Sequence, residues 1–128
     1  MSHTVKIQVT FKAAELPQLN KAFVVLGWTV ANNTSARQYT GRSETYPMVA
    51  VNPDKGASGY DIGMRIKGEN VEMFSDFYGG SIERSLGPAL AKLKQEYAAA
   101  VVEDSYPNAS VTRTHDTAGN LLLEIEEW

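Results

Sequence analysis

Gly59-Tyr60-Asp61-Ile62-Gly63-Met64-Arg65, a Gly68-Glu69 turn and Asn70-Val71-Glu72-Met73-Phe74-Ser75-Asp76 form the stretch whose reading decides the fold. A two-residue loop led by glycine predicts a β-hairpin and fixes its register. Lys67 then faces Asn70, Ile66 faces Val71, Arg65 faces Glu72 and Met64 faces Met73. Apolar meets apolar and positive meets negative, which a one-residue slip would destroy. The same count sets Gly63 against Phe74, where an aromatic ring can cover bare backbone, and Asp61 against Asp76.

Upstream, Val5, Ile7, Val9 and Phe11 alternate with polar residues, the period of a half-buried strand. Leu16, Leu19, Phe23 and Leu26 follow at helical spacing, with Pro17 in the first turn and Gly27 as a stop. Trp28-Thr29-Val30 opens a second strand, and the polar run Asn32 to Arg37 reads as a loop or frayed edge. Tyr46 to Val51 is a short strand, assigned to a sheet edge by Pro47 and closed by Asn52-Pro53-Asp54-Lys55-Gly56. Downstream, Gly79-Gly80 ends the hairpin and Ser81 is placed to cap a short helical turn. A longer helix from about Pro88 carries Leu86, Leu90, Leu93, Tyr97 and Val101 as its apolar stripe. A last hairpin pairs Val111 and Arg113 with Leu121, Leu123 and Ile125 around Ala118-Gly119-Asn120.

The order β-α-β-β-β-β-α-β-β predicts an α+β fold: an antiparallel sheet with two helices packed on one face, a ferredoxin-like variant. With 128 residues, 43% hydrophobic and 21% charged, the chain reads as a single domain over residues 1–128. A net charge of −3 speaks against nucleic-acid binding. The absence of cysteine excludes disulfide and thiolate chemistry. With neither a signal-like N-terminus nor an apolar run of spanning length, no membrane partner and a cytoplasmic setting are expected.

Met1-Ser2-His3, Leu26-Gly27, Arg37-Gln38-Tyr39-Thr40-Gly41, Gly59 to Arg65, Asp76, Leu93-Lys94-Gln95-Glu96-Tyr97-Ala98 and the terminal Trp128 form a wider set of patterns. In this set the chain resembles the uncharacterised hypothetical chloroplast reading-frame family, number thirty-five, of plastids, cyanobacteria and other bacteria. The central heptapeptide is the specific part. Glu96 stands where that family tends to carry a basic residue, and Ala99 where it has a bulkier aromatic. The resemblance implies a fold and a photosynthetic setting, with a plastid stroma for a plastid-encoded member. It implies no activity.

Asp61 and Asp76 are the sharpest chemical candidates. Across a hairpin, two carboxylates could share a proton, bind a cation or be neutralised by Arg65, Arg37 or Arg42. Alternatively the strands splay first, and each aspartate caps a turn or pairs with an arginine. Arg37, Tyr39 and Arg42 form a basic and aromatic cluster suited to an anion or a base, against a reading as solvated loop charge. Gly79-Gly80-Ser81 with Arg84 suggests an anion at a helix start, but lacks the phosphate-loop lysine. His3 and His115 lack metal-ligand spacing, so no metal and no cofactor is expected. Leu122 breaks the alternation of the last strand, and with Trp128 it is a candidate contact for a protein partner or a homodimer. The expected function is a small non-enzymatic interaction or adaptor protein. The alternative is a small-ligand protein, for an anion or nucleotide-like molecule, using Asp61, Arg65, Asp76, Tyr39 and Arg42.

Overall fold

A computed structural model describes residues 5–39, 43–76, 78–115 and 121–127. Strand β1 (Val5–Lys12) leads through a 3-10 turn into helix α1 (Leu16–Val25). Strands β2 (Thr29–Arg37), β3 (Ser43–Val51), β4 (Ile62–Lys67) and β5 (Asn70–Ser75) follow. The chain then forms the short helix α2 (Ser81–Leu86), the long helix α3 (Ala91–Ser105) and the hairpin β6 (Ala109–His115) and β7 (Leu121–Glu127). The fold is α+β, and the seven strands fall along the chain as expected, while the short helical turn before the long helix forms a helix of its own, α2.

Five strands form one sheet in the order β1-β5-β4-β3-β2, and β6-β7 is a separate two-stranded sheet. Every pairing is antiparallel. Four antiparallel steps separate β1 from β2, so those edge strands run the same way, and α1 carries the chain from one edge to the other. The central hairpin has the expected register, Gly63↔Phe74 through Lys67↔Asn70. Gly68 takes φ +61 while Glu69 stays at negative φ, the turn class in which glycine leads.

Helix α1 shows how local sequence sets an element's end. The Trp28 N–H donates to the Phe23 carbonyl (2.9 Å) and the Gly27 N–H to that of Val24 (3.0 Å), with Gly27 at φ +88. This is a Schellman motif, and its usual apolar contact is present as Phe23 against Trp28, ring centroids 5.9 Å apart. The Trp28 indole N–H then donates to Ser85 Oγ at 2.7 Å, which ties α2 to the end of α1.

One face of the sheet presents Phe11, Met48, Ala50, Ile62, Met64, Val71 and Met73. They join Leu19 and Phe23 of α1, Ile82 and Leu86 of α2 and Leu93 of α3 in a single buried cluster, so the helices occupy one face. Leu86, Leu90 and Leu93 of the expected stripe are buried, while Tyr97 and Val101 are partly so. Pro88 interrupts the helices as expected, and Ala89 and Leu90 bridge them at φ 52 and 61.

Two sequence expectations change. Residues 32–37 are strand, not loop: β2 pairs with β3 from Thr29↔Val51 to Arg37↔Ser43. β3 is an inner strand between β2 and β4, not an edge. Pro47 is tolerated there because both neighbouring ladders lapse beside it. Asn33, which would face it, has φ 49, and β4 pairs only with Met48 to Ala50.

At that point the β2–β3 ribbon doubles back. Eight extended residues span about 26 Å, so a straight ribbon would carry Arg37 far from Thr29. Yet Arg37 hydrogen-bonds the carbonyl of Asn52, the residue after Thr29's own partner Val51. The distal half of the ribbon therefore returns over the sheet face opposite the helices. Ala36, Tyr46 and Val49 form a second buried cluster there, with Val51 and Phe74 packed against it. Tyr46 should share a face with Met48 by alternation. Its ring instead lies on Gly63, where a Cβ would overlap the ring carbons, and it stacks on Phe74 at 5.6 Å and 23°. Gly63 is thus covered by Tyr46 rather than by the cross-strand Phe74 alone.

Candidate functional site

The residues that bring Arg37 back are the ones singled out for chemistry. Asp61 lies just before β4, with its side chain 4% exposed. Its carboxylate accepts the Arg37 main-chain N–H (2.8 Å), the Asn52 main-chain N–H (2.9 Å) and the Arg37 side chain through Nε (3.2 Å to each oxygen) and Nη2 (2.9 Å). The Asp61 N–H donates to the Arg37 carbonyl (3.0 Å), and the Asp61 carbonyl accepts from Ser75 Oγ (2.8 Å). Arg37 completes its fork with Nη1 to the Asp54 carbonyl (3.0 Å) and Nη2 to the Asn52 carbonyl (2.7 Å). A rigid planar donor set suits this convergence, which a lysine could not reproduce.

Asp76, fully buried just after β5, accepts the Tyr39 main-chain N–H at 2.7 Å. Both aspartates therefore fasten the one segment, Arg37 to Tyr39. They are not a ladder pair: the β4–β5 pairing ends at Gly63↔Phe74, and Ser75 pairs instead with Val5 of β1. The side chain of Tyr39 turns away toward the helix-side core and meets Tyr60 edge-on at 6.4 Å. Arg65 belongs elsewhere, with its guanidinium 4.6 Å above the Phe74 ring and 5.6 Å from that of Tyr46. The structure thus unites Asp61, Asp76, Arg37 and the Tyr39 backbone, and leaves Arg65 outside. Arg42 and Trp128 lie outside the described residues. Leu122 pairs with Thr114, in the alternate set that contains Ser110, Thr112, Glu124 and Glu126.

Sequence reasoning missed three participants. Asn52 donates Nδ2 to the Tyr60 carbonyl (3.0 Å) and to Ser81 Oγ (3.1 Å), and its Oδ1 accepts the Asp54 N–H (2.9 Å). Ser81 Oγ donates to Asp54 Oδ2 (2.8 Å), and Asp54 Oδ1 accepts the Gly56 N–H (2.8 Å). Ser81 is therefore a bridge, and the helix-capping position belongs to Gly80 at φ 72. The Gly56 N–H, the Ser81 hydroxyl and nearby Arg84 and Arg37 hold the Asp54 carboxyl below its ordinary value. The signal for this network was the Asn52-Pro53-Asp54 turn, which marks a loop but not its distant contacts.

Against the network, a cavity of about 270 Å³ is lined by its members Asn52, Asp54 and Ser81 together with Pro53, Arg84 and Ser85. Arg84 stands at its edge with Nη1 donating to the Gly79 carbonyl at 2.9 Å. Among the described residues no three His, Cys, Asp or Glu side chains group as metal ligands, and no helix is long and apolar enough to cross a membrane. No family model, no curated protein and no solved structure matches this chain.

Proposed function

We propose that this chain is a small non-enzymatic interaction protein that works with a protein partner. One observation carries the reading. The acidic and basic groups best suited to chemistry direct their polar atoms at the fold's own main chain. Asp61 accepts two backbone N–H groups and the Arg37 fork, and that fork also serves two backbone carbonyls. A general acid or an anion receptor needs polar capacity facing a substrate. The resemblance to the plastid and cyanobacterial family supports a photosynthetic cell as the setting, and Leu122 and Trp128 are the candidate contact residues.

A second reading has its own support. The cavity beside Asp54 and Arg84 lies next to the Asp61 network, and its Arg84 offers a cation to a small anionic or nucleotide-like ligand. A thermal-shift screen of such ligands against wild type and Arg84→Ala separates the two. Stabilisation of wild type alone by a nucleotide or phosphate would replace the interaction reading. With no shift, capture of a defined partner from a photosynthetic host extract, lost on Leu122→Lys, is the expected outcome.

A further inference from the structure

We infer that the distal half of the β2–β3 ribbon is a hinged strap, latched by Arg37, that opens as a unit while the sheet beneath stays folded. The inference is independent of the proposed function.

The hinge is visible in the backbone. Asn33 takes a left-handed φ of 49 opposite Pro47, which has no N–H, and the ladder lapses between them. β4 gives no support at that level, because its pairing with β3 begins at Met48. Beyond the hinge, Thr34 to Arg37 pair with Tyr46 to Ser43, so the two arms carry their own ladder and can move together. The floor is held independently. Val49 and Gly63 lie on inner strands paired on both sides, and the opposite face of those strands is packed on the helices.

What closes the strap is a set of contacts made mostly on the sheet face away from the helices. The Arg37 fork on Asp61, Asn52 and Asp54 is the latch, with the Tyr39 N–H on Asp76 beside it. Ala36 and Tyr46 pack on Val49 and Gly63 without touching the helix-side cluster. Opening also forfeits the Tyr46–Phe74 stack, the Arg65 contact with Tyr46 and the packing of the Tyr39 ring beside Tyr60, and it leaves the rest of the helix-side cluster in place. Sub-global opening of this kind is expected wherever one element's contacts are few and distinct from the main core.

The absence of cysteine makes thiol labelling a clean test. Val49→Cys places a probe under the strap, and Met64→Cys places one in the helix-side core; both sites are fully buried. Labelling at 49 is expected to run on the order of 100-fold faster than at 64, with little dependence on urea. Adding Arg37→Ala should speed labelling at 49 by a further factor of roughly 100, with no change at 64. Hydrogen exchange of wild type gives the second measurement, because the Arg37, Tyr39, Asn52 and Asp61 amides each donate across the latch. They should exchange together and before the amides of β4 and β5. Equal labelling at both positions with equal urea dependence overturns the inference, as does exchange of the latch amides only with the rest of the sheet.

Discussion

Gly63→Ala adds one methyl group at the point where Tyr46 rests on β4. The new Cβ would overlap the ring carbons of Tyr46, and the ring has little freedom to retreat. Phe74 stacks on it, Arg65 covers the pair, and the Tyr46 hydroxyl is held by Gln38 Nε2 (3.1 Å) and donates to Glu44 (3.0 Å). Overpacking at a confined site costs about 1–3 kcal/mol. Replacing a strand glycine returns about 0.5–1 kcal/mol of backbone entropy. The net loss should be roughly 1–2 kcal/mol, a fall in Tm on the order of 5 °C. Urea denaturation of a double-mutant cycle with Tyr46→Ala isolates the contact. Tyr46→Ala alone should cost about 3–5 kcal/mol as a buried aromatic truncation. In its background the methyl group meets open space and the Gly63→Ala penalty disappears, so the coupling should reach about 1 kcal/mol or more. If Gly63→Ala matches wild type, or the two changes add within about 0.5 kcal/mol, the ring does not lie on that backbone and the doubled-back ribbon is wrong.

Asp61→Asn removes the counter-charge of Arg37 and sets an amide NH2 against the main-chain N–H of either Arg37 or Asn52, which bond to different oxygens of the carboxylate. Breaking a buried pair costs about 3–5 kcal/mol, and the partial exposure of Arg37 should reduce this to roughly 2–3 kcal/mol by chemical denaturation. Ala89, exposed at φ 52, should gain about 0.5 kcal/mol on substitution by glycine. Gly87→Ala should lose stability, because φ is +84 there and its Cβ would sit 2.9 Å from the Lys92 nitrogen. Burial, and then the bond to Glu44, raise the Tyr46 hydroxyl above its ordinary 10.0. A group raised in the folded state contributes fully below its unfolded pKa and loses that contribution as pH rises through the folded value. The stability gap between wild type and Tyr46→Phe should therefore be constant at neutral pH and narrow in strong alkali, as read by urea titrations across that range.

The central hairpin was legible because three local signals agree: a glycine-led turn, alternating apolar positions and one register that pairs unlike charges. The same holds for α1, where spacing, Pro17 and Gly27 each mark a boundary that the hydrogen bonds confirm. Asp61 and Asp76 stood out for a sound reason, since carboxylates at the ends of buried strands must find partners. Sequence could not supply the partners, because Arg37 and Asp61 are 24 positions apart and the main-chain carbonyls of Asn52 and Asp54 carry no residue signature.

The doubled-back ribbon was hidden for a different reason. Asn32-Asn33-Thr34-Ser35-Ala36-Arg37 has no apolar alternation, because only Ala36 among them is buried, and it covers the face that helices leave open. Alternation alone would also misplace Tyr46: counting from Met48 sets it on the helix side, and the left-handed turn at Asn33 reverses that. The legible half of the contact was the glycine. A glycine inside a strand that otherwise reads Ile-x-Met-x-Ile is a cost to the sheet unless something occupies the space of its missing side chain. Phe74 was the nearest ring by register, and it does take part, but as the plate on which Tyr46 stacks. Cross-strand neighbours follow from counting, whereas layers added over a sheet do not. The second layer of this fold consequently rests on residues whose roles are visible only once the ribbon is seen to bend.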